Sequence, residues 1–349
     1  MTLSERFSAE YPQAFFVQLS ELQALTGYLR QQGWIARKQE VISLERAGEG
    51  NMNLVLRVQL DDDSTFILKQ SRPWAEKYPS VAAPLERAEV EAEFYRRTAK
   101  VAALAARSPR LLQADADAHV LMLEDLGPSR DLTALYANAS SLAPRVLDAL
   151  VDYLVVLHTE FRQPQCGFRL PNRAMRALNA EHIFQYPFAT QTGFDRDAIT
   201  PGLTALATSC REDAPLQAVI QRLAARYLAD GDTLLHGDYF PGSVLLTPEG
   251  IRVIDPEFCF FGDAEFDVGV LLAHLTLAGQ PAVRVEHALS LYVAGVAGKA
   301  SVDTLRCWQY AGIEVLRRLL GLAQLPLQLD IEAKRALVER ARGWLLRKA

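Results

Sequence analysis

The sequence predicts an α+β chain in two parts: an antiparallel sheet with a helix, then a larger and mainly helical part. Three observations carry this. Strand patterns gather early, at 42–46, 54–58 and 65–70, with Gly48-Glu49-Gly50-Asn51-Met52-Asn53 and Asp61-Asp62-Asp63 as the turns between them, which reads as a meander. Helical periodicity dominates later, as in Leu147, Leu150, Leu154 and Leu157. One β unit interrupts the helical part, where 244–246 and 251–254 flank the turn residues Thr247-Pro248-Glu249-Gly250.

With 349 residues, half of them hydrophobic, the chain can bury a large core or two smaller ones. A net charge of −5 points away from nucleic acid or an anionic membrane as partner. Cys166, Cys210, Cys259 and Cys307 are scattered without metal or redox spacing and read as reduced core thiols. The N-terminus has no basic region followed by an apolar stretch, and no run is long enough to span a bilayer. The expectation is a cytoplasmic protein.

In chain order, Leu22, Leu25 and Leu29 with Tyr28 predict a helix ending near Gly33. The meander follows and ends on Lys69, which read alone is a solvated strand-end lysine as readily as a phosphate ligand. Residues 71–86 read as a Pro-containing connector. Strong helix formers fill 86–95, where Glu89, Glu91 and Glu93 are all candidates for solvated i,i+4 pairs. His119-Val120-Leu121-Met122-Leu123 is an apolar strand running into Glu124-Asp125-Leu126. Helices are expected over 131–162, with no role for His158. Residues 163–215 read as irregular and polar, and 216–228 as an amphipathic helix.

The stretch from Leu234 to Phe258 organises the chemistry. A hairpin returns the chain to its starting end, so Asp238 and Ser243, before the first strand, meet Asp255 and Glu257, after the second. Carboxylates gathered at one end repel unless a cation lies between them. Hard oxygen donors of this kind suit Mg2+, which takes one or two carboxylates plus phosphate oxygens.

His236-Gly237-Asp238 followed by a hairpin and Asp255 resembles the protein-kinase-like phosphotransferases, the aminoglycoside, choline and methylthioribose kinases. Gly242-Ser243, Asp255-Pro256-Glu257-Phe258, Phe261-Gly262 and Phe266-Asp267-Val268-Gly269 look most like methylthioribose kinases. The resemblance runs from about residue 45 to the C-terminus. It implies a two-lobed protein-kinase-like fold: residues 1–123 a nucleotide-binding lobe, 124–126 a hinge, and 127–349 a catalytic and substrate-binding lobe. It implies an ATP- and Mg2+-dependent kinase acting on a small-molecule hydroxyl, a sugar such as methylthioribose, and leaves a homodimer open. By the same resemblance Asp238 is catalytic, and Asp255 and Glu257 hold the metal. Gly48, Gly50, Asn51, Asn53, Lys69, Glu91, Glu124, Asp125 and Leu126 serve the nucleotide. Arg317 and Arg318, adjacent within an apolar helix, serve the acceptor beside Asp238. His236, Ser243 and Asp267 support the catalytic loop, Asp267 by accepting hydrogen bonds from its backbone.

The chain also departs from the family. It is shorter, looks abridged between the Asp267 helix and Arg317, and has Tyr239-Phe240-Pro241 in place of Leu-His-Thr. These changes fall near where an acceptor would sit. Two other readings therefore stand beside the first: a kinase for another alcohol (an aminoglycoside, choline or homoserine), and a nucleotide-binding protein without catalysis. The paired arginines argue against cationic acceptors. Ser243 where relatives of the wider superfamily carry Asn removes one customary metal ligand.

Overall fold

The computed structural model describes residues 2–48, 50, 52–138 and 141–347. The chain divides into two compact units, Met1–Pro128 and Ser129–Ala349.

The first unit begins with helices α1 (Leu3–Glu10) and α2 (Leu22–Gln31), followed by strands β1 (Val41–Arg46), β2 (Leu54–Leu60) and β3 (Thr65–Gln70). The connector after Gln70 is more ordered than its prolines suggest, forming a short antiparallel pair, β4 (Trp74–Ala75) with β5 (Tyr78–Ala82). Trp74 explains this, because its fully buried ring packs edge-on to Phe7 of α1 and anchors the segment. Helices α3 (Arg87–Thr98) and α4 (Ala102–Ala105) and strands β6 (Leu111–Asp115) and β7 (Val120–Glu124) complete the unit.

Its sheet runs β1-β2-β3-β7-β6, all antiparallel, so β3 is the central strand. Side chains alternate between the faces of a strand. Leu56, Val58, Phe66, Leu68, Val120 and Met122 bury one face against Leu25 and Leu29 of α2. The alternate positions of β3, Ile67 and Lys69, therefore belong to the opposite face.

The second unit starts with strand β8 (Arg130–Asp131) and helices α5 (Ala134–Asn138) and α6 (Pro144–Glu160). The stretch expected to be irregular is largely helical: α7 (Arg173–Phe184), α8 (Arg196–Ile199) and α9 (Leu203–Glu212). Polar residues hid this. Arg176, Asn179 and Arg196 are buried on the inward faces, where backbone carbonyls and side chains accept their hydrogen bonds, that of Arg176 Nε excepted. Helix α10 (Ala214–Leu228) delivers the chain to β9 (Thr233–Leu235). The hairpin β10 (Val244–Thr247) and β11 (Gly250–Val253) follows, with Val244 opposite Val253 and β8 on the outer side of β10. Strand β12 (Phe260–Gly262) pairs with β9. Helices α11 (Glu265–Leu277), α12 (Ala282–Val296), α13 (Thr304–Leu320) and α14 (Ile331–Leu346) finish the unit.

Helix α11 is buried along its whole length. Gly269 lets it cross α13 closely, since a Cβ there would lie 2.5 Å from Tyr310 Cβ and 2.8 Å from the Cys307 carbonyl oxygen. That crossing brings the first turn of α11 to the loop after β9 and sets its last turn, at His274, beside Glu314 of α13. Among the described residues no helix is long and apolar enough to cross a membrane.

Candidate active site

In the first unit, Lys69 and Glu91 form an ion pair of 2.6 Å with both side chains almost wholly buried. Alternation sends Lys69 away from the α2 face, and Glu91 meets it from α3. Glu89 and Glu93 go elsewhere, to His119 at 2.9 Å and to Arg97 at 2.6 Å. A buried ion pair costs desolvation and is weak evidence for stability.

Arg87, one turn before Glu91, is fully buried. It donates to the carbonyl oxygens of Met52, Arg72 and Pro84 and to Asn53 Oδ1. Asn53 Oδ1 also accepts from the Ser71 hydroxyl at 2.9 Å. Asn53, expected at the nucleotide, is buried, and its side-chain oxygen holds both donors. Through Arg87 the turn and α3 are fixed to each other. Gly48 of the turn has φ +83, open to glycine at no steric cost, whereas Gly50 has no such requirement. Asn51 lies outside the described residues.

Of the expected hinge residues, Glu124 ends β7 opposite Phe66, and its N–H donates to the Arg110 carbonyl at 2.9 Å. The Asp125 carboxylate is held by Arg57 at 2.8 and 3.0 Å and by the Gly127 N–H at 3.0 Å. Leu126 is half-buried.

In the second unit, the chain leaves β9 through His236-Gly237-Asp238. Asp267, in the first turn of α11, accepts the His236 N–H on Oδ2 at 2.6 Å and the Gly237 N–H on Oδ1 at 3.0 Å. His158 reaches Asp267 Oδ2 at 3.3 Å and the Tyr292 hydroxyl at 2.8 Å, which places it in the structure behind the loop. The His236 ring spans the loop, with Nε2 3.0 Å from the Ile254 carbonyl oxygen and Nδ1 accepting from the Asp238 N–H at 3.4 Å. Burial lowers its pKa, and the nearby carboxylates do not fully offset this.

The hairpin closes the loop. The Ser243 hydroxyl donates to the Asp238 carbonyl at 2.9 Å, and the Ile254 N–H donates to the Ser243 carbonyl at 2.9 Å. Asp255 follows with φ +60, an unusual conformation for a side chain other than glycine, and leads into the Pro256–Phe258 turn that carries Glu257. Asn172, which sequence reasoning passed over, donates its amide to the Glu257 and Cys259 carbonyls, both at 2.9 Å. It precedes α7 in a left-handed conformation, which the sequence does not reveal.

Arg317 and Arg318 occupy the last turns of α13, both buried. Arg318 donates to Asp238 Oδ1 at 3.2 Å, and Arg317 lies 3.8 Å from the same oxygen. Glu314, not singled out in the sequence, takes Arg318 Nε at 2.6 Å and Arg317 at 3.2 Å. Arg317 is also held by Asn179 Oδ1 at 3.1 Å. Two cations thus face two carboxylates, so the paired arginines do not by themselves make the site repel a cationic acceptor. Of Tyr239-Phe240-Pro241, Tyr239 belongs to the core, with its hydroxyl on the Leu150 carbonyl and its ring stacked on Tyr153. Phe240 is the one beside the arginines, its ring 4.7 Å from the Arg318 guanidinium carbon. Among the described residues no group of three or more His, Cys, Asp or Glu side chains is arranged to hold a metal ion by itself.

Comparison with known proteins gives the following. Residues 43–298 match the family described as phosphotransferase enzyme family. Methylthioribose kinase from Exiguobacterium sibiricum is 32% identical over 256 residues, 69% of this chain and 63% of that relative. The chain thus matches less than two thirds of that relative's length. Methylthioribose kinase from Erwinia tasmaniensis is 27% identical over 347 residues, 85% of this chain and 84% of the relative. Among solved structures, choline kinase from Streptococcus pneumoniae covers 93% of this chain and 98% of its own, with a TM-score of 0.54 at 15% identity. The AMP-bound spectinomycin phosphotransferase covers 91% and 97%, with a TM-score of 0.53 at 12% identity. Likeness at such identities establishes the fold, which is α+β and protein-kinase-like.

Proposed function

This chain belongs to the phosphotransferase enzyme family, and on that footing we propose that it transfers the γ-phosphoryl group of ATP to a hydroxyl of a small sugar, methylthioribose or a close relative. The observation that carries the reading is the loop at Asp238, whose two preceding N–H groups are held by Asp267 and whose carboxylate meets Arg318. Asp238 orients the acceptor hydroxyl and takes its proton. The acceptor oxygen bonds to the γ-phosphorus, the bond from that phosphorus to the bridging oxygen breaks, and ADP leaves. Arg317 and Arg318 neutralise charge on the transferring group. Such catalysis is mostly positioning and electrostatics.

Asp255 and Glu257 fit Mg2+, because their donors are hard oxygens and a site completed by phosphates needs only one or two carboxylates. When bound, the metal offsets charge on the β- and γ-phosphates. Lys69, kept in place by Glu91, steadies the phosphates, and the 48–53 turn offers them backbone N–H groups. Backbone at 124–126 reads adenine. On this reading residues 1–123 serve the nucleotide, 127–349 serve catalysis and the acceptor, and the cytoplasm is the compartment.

The test is turnover of Mg-ATP against a panel of methylthioribose, other sugars, choline, homoserine and an aminoglycoside, following ADP and the phosphorylated product. Sugar-dependent turnover is expected, abolished in Asp238→Ala with ATP binding nearly intact. Turnover on choline or an aminoglycoside alone would replace the acceptor class. Absence of any acceptor-dependent turnover would overturn the reading.

A further inference from the structure

Glu314 lies in the middle of α13 and is 1% exposed. Its position, three residues before Arg317 and four before Arg318, sets one carboxylate between two guanidiniums on one helix face. Both oxygens are used. Oε1 accepts from Arg318 Nε at 2.6 Å and from His274 Nε2 at 3.1 Å, and Oε2 accepts from Arg317 at 3.2 Å. Burial alone would raise its carboxyl pKa, but the two guanidiniums and His274 outweigh burial and hold it well below the usual range. An ionised carboxylate only accepts, so His274 Nε2 carries the hydrogen. His274 Nδ1 is then the acceptor for the Tyr136 hydroxyl at 2.6 Å. A continuous chain therefore runs from Tyr136 on α5, through His274 on α11, to Glu314 and the two arginines on α13.

The chain meets two physical needs. Arginine side chains have many rotamers, and ordering two of them at one oxygen is costly unless something else holds them. Two guanidiniums side by side also repel, and Asp238 is a single charge that falls to zero when it accepts the acceptor proton. Glu314 is a second negative charge that the reaction does not consume.

We propose that Glu314 is a positioning residue for phosphoryl transfer: it fixes the head groups of Arg317 and Arg318 against Asp238, and is itself fixed from behind by His274 and Tyr136. The inference rests on the roles proposed above for Asp238 and the arginines. It is tested on the full chain with Glu314→Gln, which keeps shape and removes charge. In a crystal structure of that variant the arginine head groups are expected to leave Asp238; unchanged positions would overturn the proposal, and this readout needs no knowledge of the acceptor. In kinetics, kcat/KM for the acceptor is expected to fall on the order of a hundredfold, the scale of losing one strong transition-state donor, while ATP affinity stays within about threefold. Glu314→Asp, which keeps the charge, is expected to recover part of kcat; wild-type kinetics in Glu314→Gln would overturn the proposal. If Glu314→Gln does not fold, His274→Leu removes the support and leaves the carboxylate, and a loss of kcat on the order of tenfold with unchanged ATP affinity is expected; an unchanged kcat would equally overturn it. Full activity in Asp238→Ala would instead mean that the mechanistic reading has failed, whatever the arginine positions show.

Discussion

Asp267 and His236 are joined by a hydrogen bond of 2.6 Å from the His236 N–H to the Asp267 carboxylate, and the other carboxylate oxygen takes the next N–H, that of Gly237. The loop has little freedom besides. Gly237 has φ +84, and a Cβ there would lie 2.1 Å from the Phe258 carbonyl oxygen. Asp267→Asn turns one acceptor into a donor facing a buried N–H, at a cost of about 1–3 kcal/mol. A fall in kcat of at least about tenfold is expected, together with faster amide exchange at 236–238. Unchanged exchange there would show that Asp267 does not hold the loop.

Lys69 and Glu91 separate function from stability. Lys69→Met removes the counter-charge of a buried carboxylate and is expected to cost about 3–5 kcal/mol. Combining it with Glu91→Leu removes both charges, and most of that stability is expected to return. Activity is not: both single variants and the double variant should raise the KM for ATP and lower kcat. Recovery of activity in the double variant would make the pair purely structural.

Asp255→Asn is expected to weaken Mg-ATP binding much more than metal-free ATP binding, because the lost charge matters most when the cation is present. Calorimetric titrations with and without Mg2+ read the difference. Equal losses in both would assign Asp255 to the backbone geometry of its turn rather than to the metal.

The parts legible in the sequence are those set by local pattern. The meander and the 244–253 hairpin follow from alternation between turn residues, and Leu22, Leu25 and Leu29 follow from helical spacing. Helices α7 and α9 were illegible because Pro and Gly surround them and because Arg176 and Asn179 occupy inward positions that pattern reading assigns to solvent. The arginine pair was visible as charge in an apolar segment, but its organiser was not. Glu314 looks like an ordinary surface glutamate until α11 brings His274 against it, and that contact spans forty residues. Asn172 and Arg87 were hidden for a related reason. Their bonds go to backbone carbonyls of distant segments, which leave no mark on composition.

His274 should make part of the stability pH-dependent, with a sign that can be worked out. It is fully buried, and Tyr136, Glu314 and the Phe240 ring face it, with Arg318 and Asp238 close by. Burial pushes its pKa down to about 4, against the hydrogen bond that it donates to Glu314, which raises it. In the unfolded chain the same group titrates near its ordinary value of about 6.5. Between those values the unfolded state binds a proton that the folded state refuses, so stability falls as pH falls from about 6.5 to 4, and this group contributes no pH dependence above that range. The integrated loss is roughly 3 kcal/mol at most. His236, also lowered by burial, acts in the same direction and is present in both proteins compared. His274→Gln keeps a neutral donor and acceptor but cannot titrate. Urea midpoints measured from pH 7 to 4 should therefore show wild type losing its advantage over the variant as the solution is acidified. Parallel curves would mean that His274 takes up its proton equally well folded and would overturn this assignment.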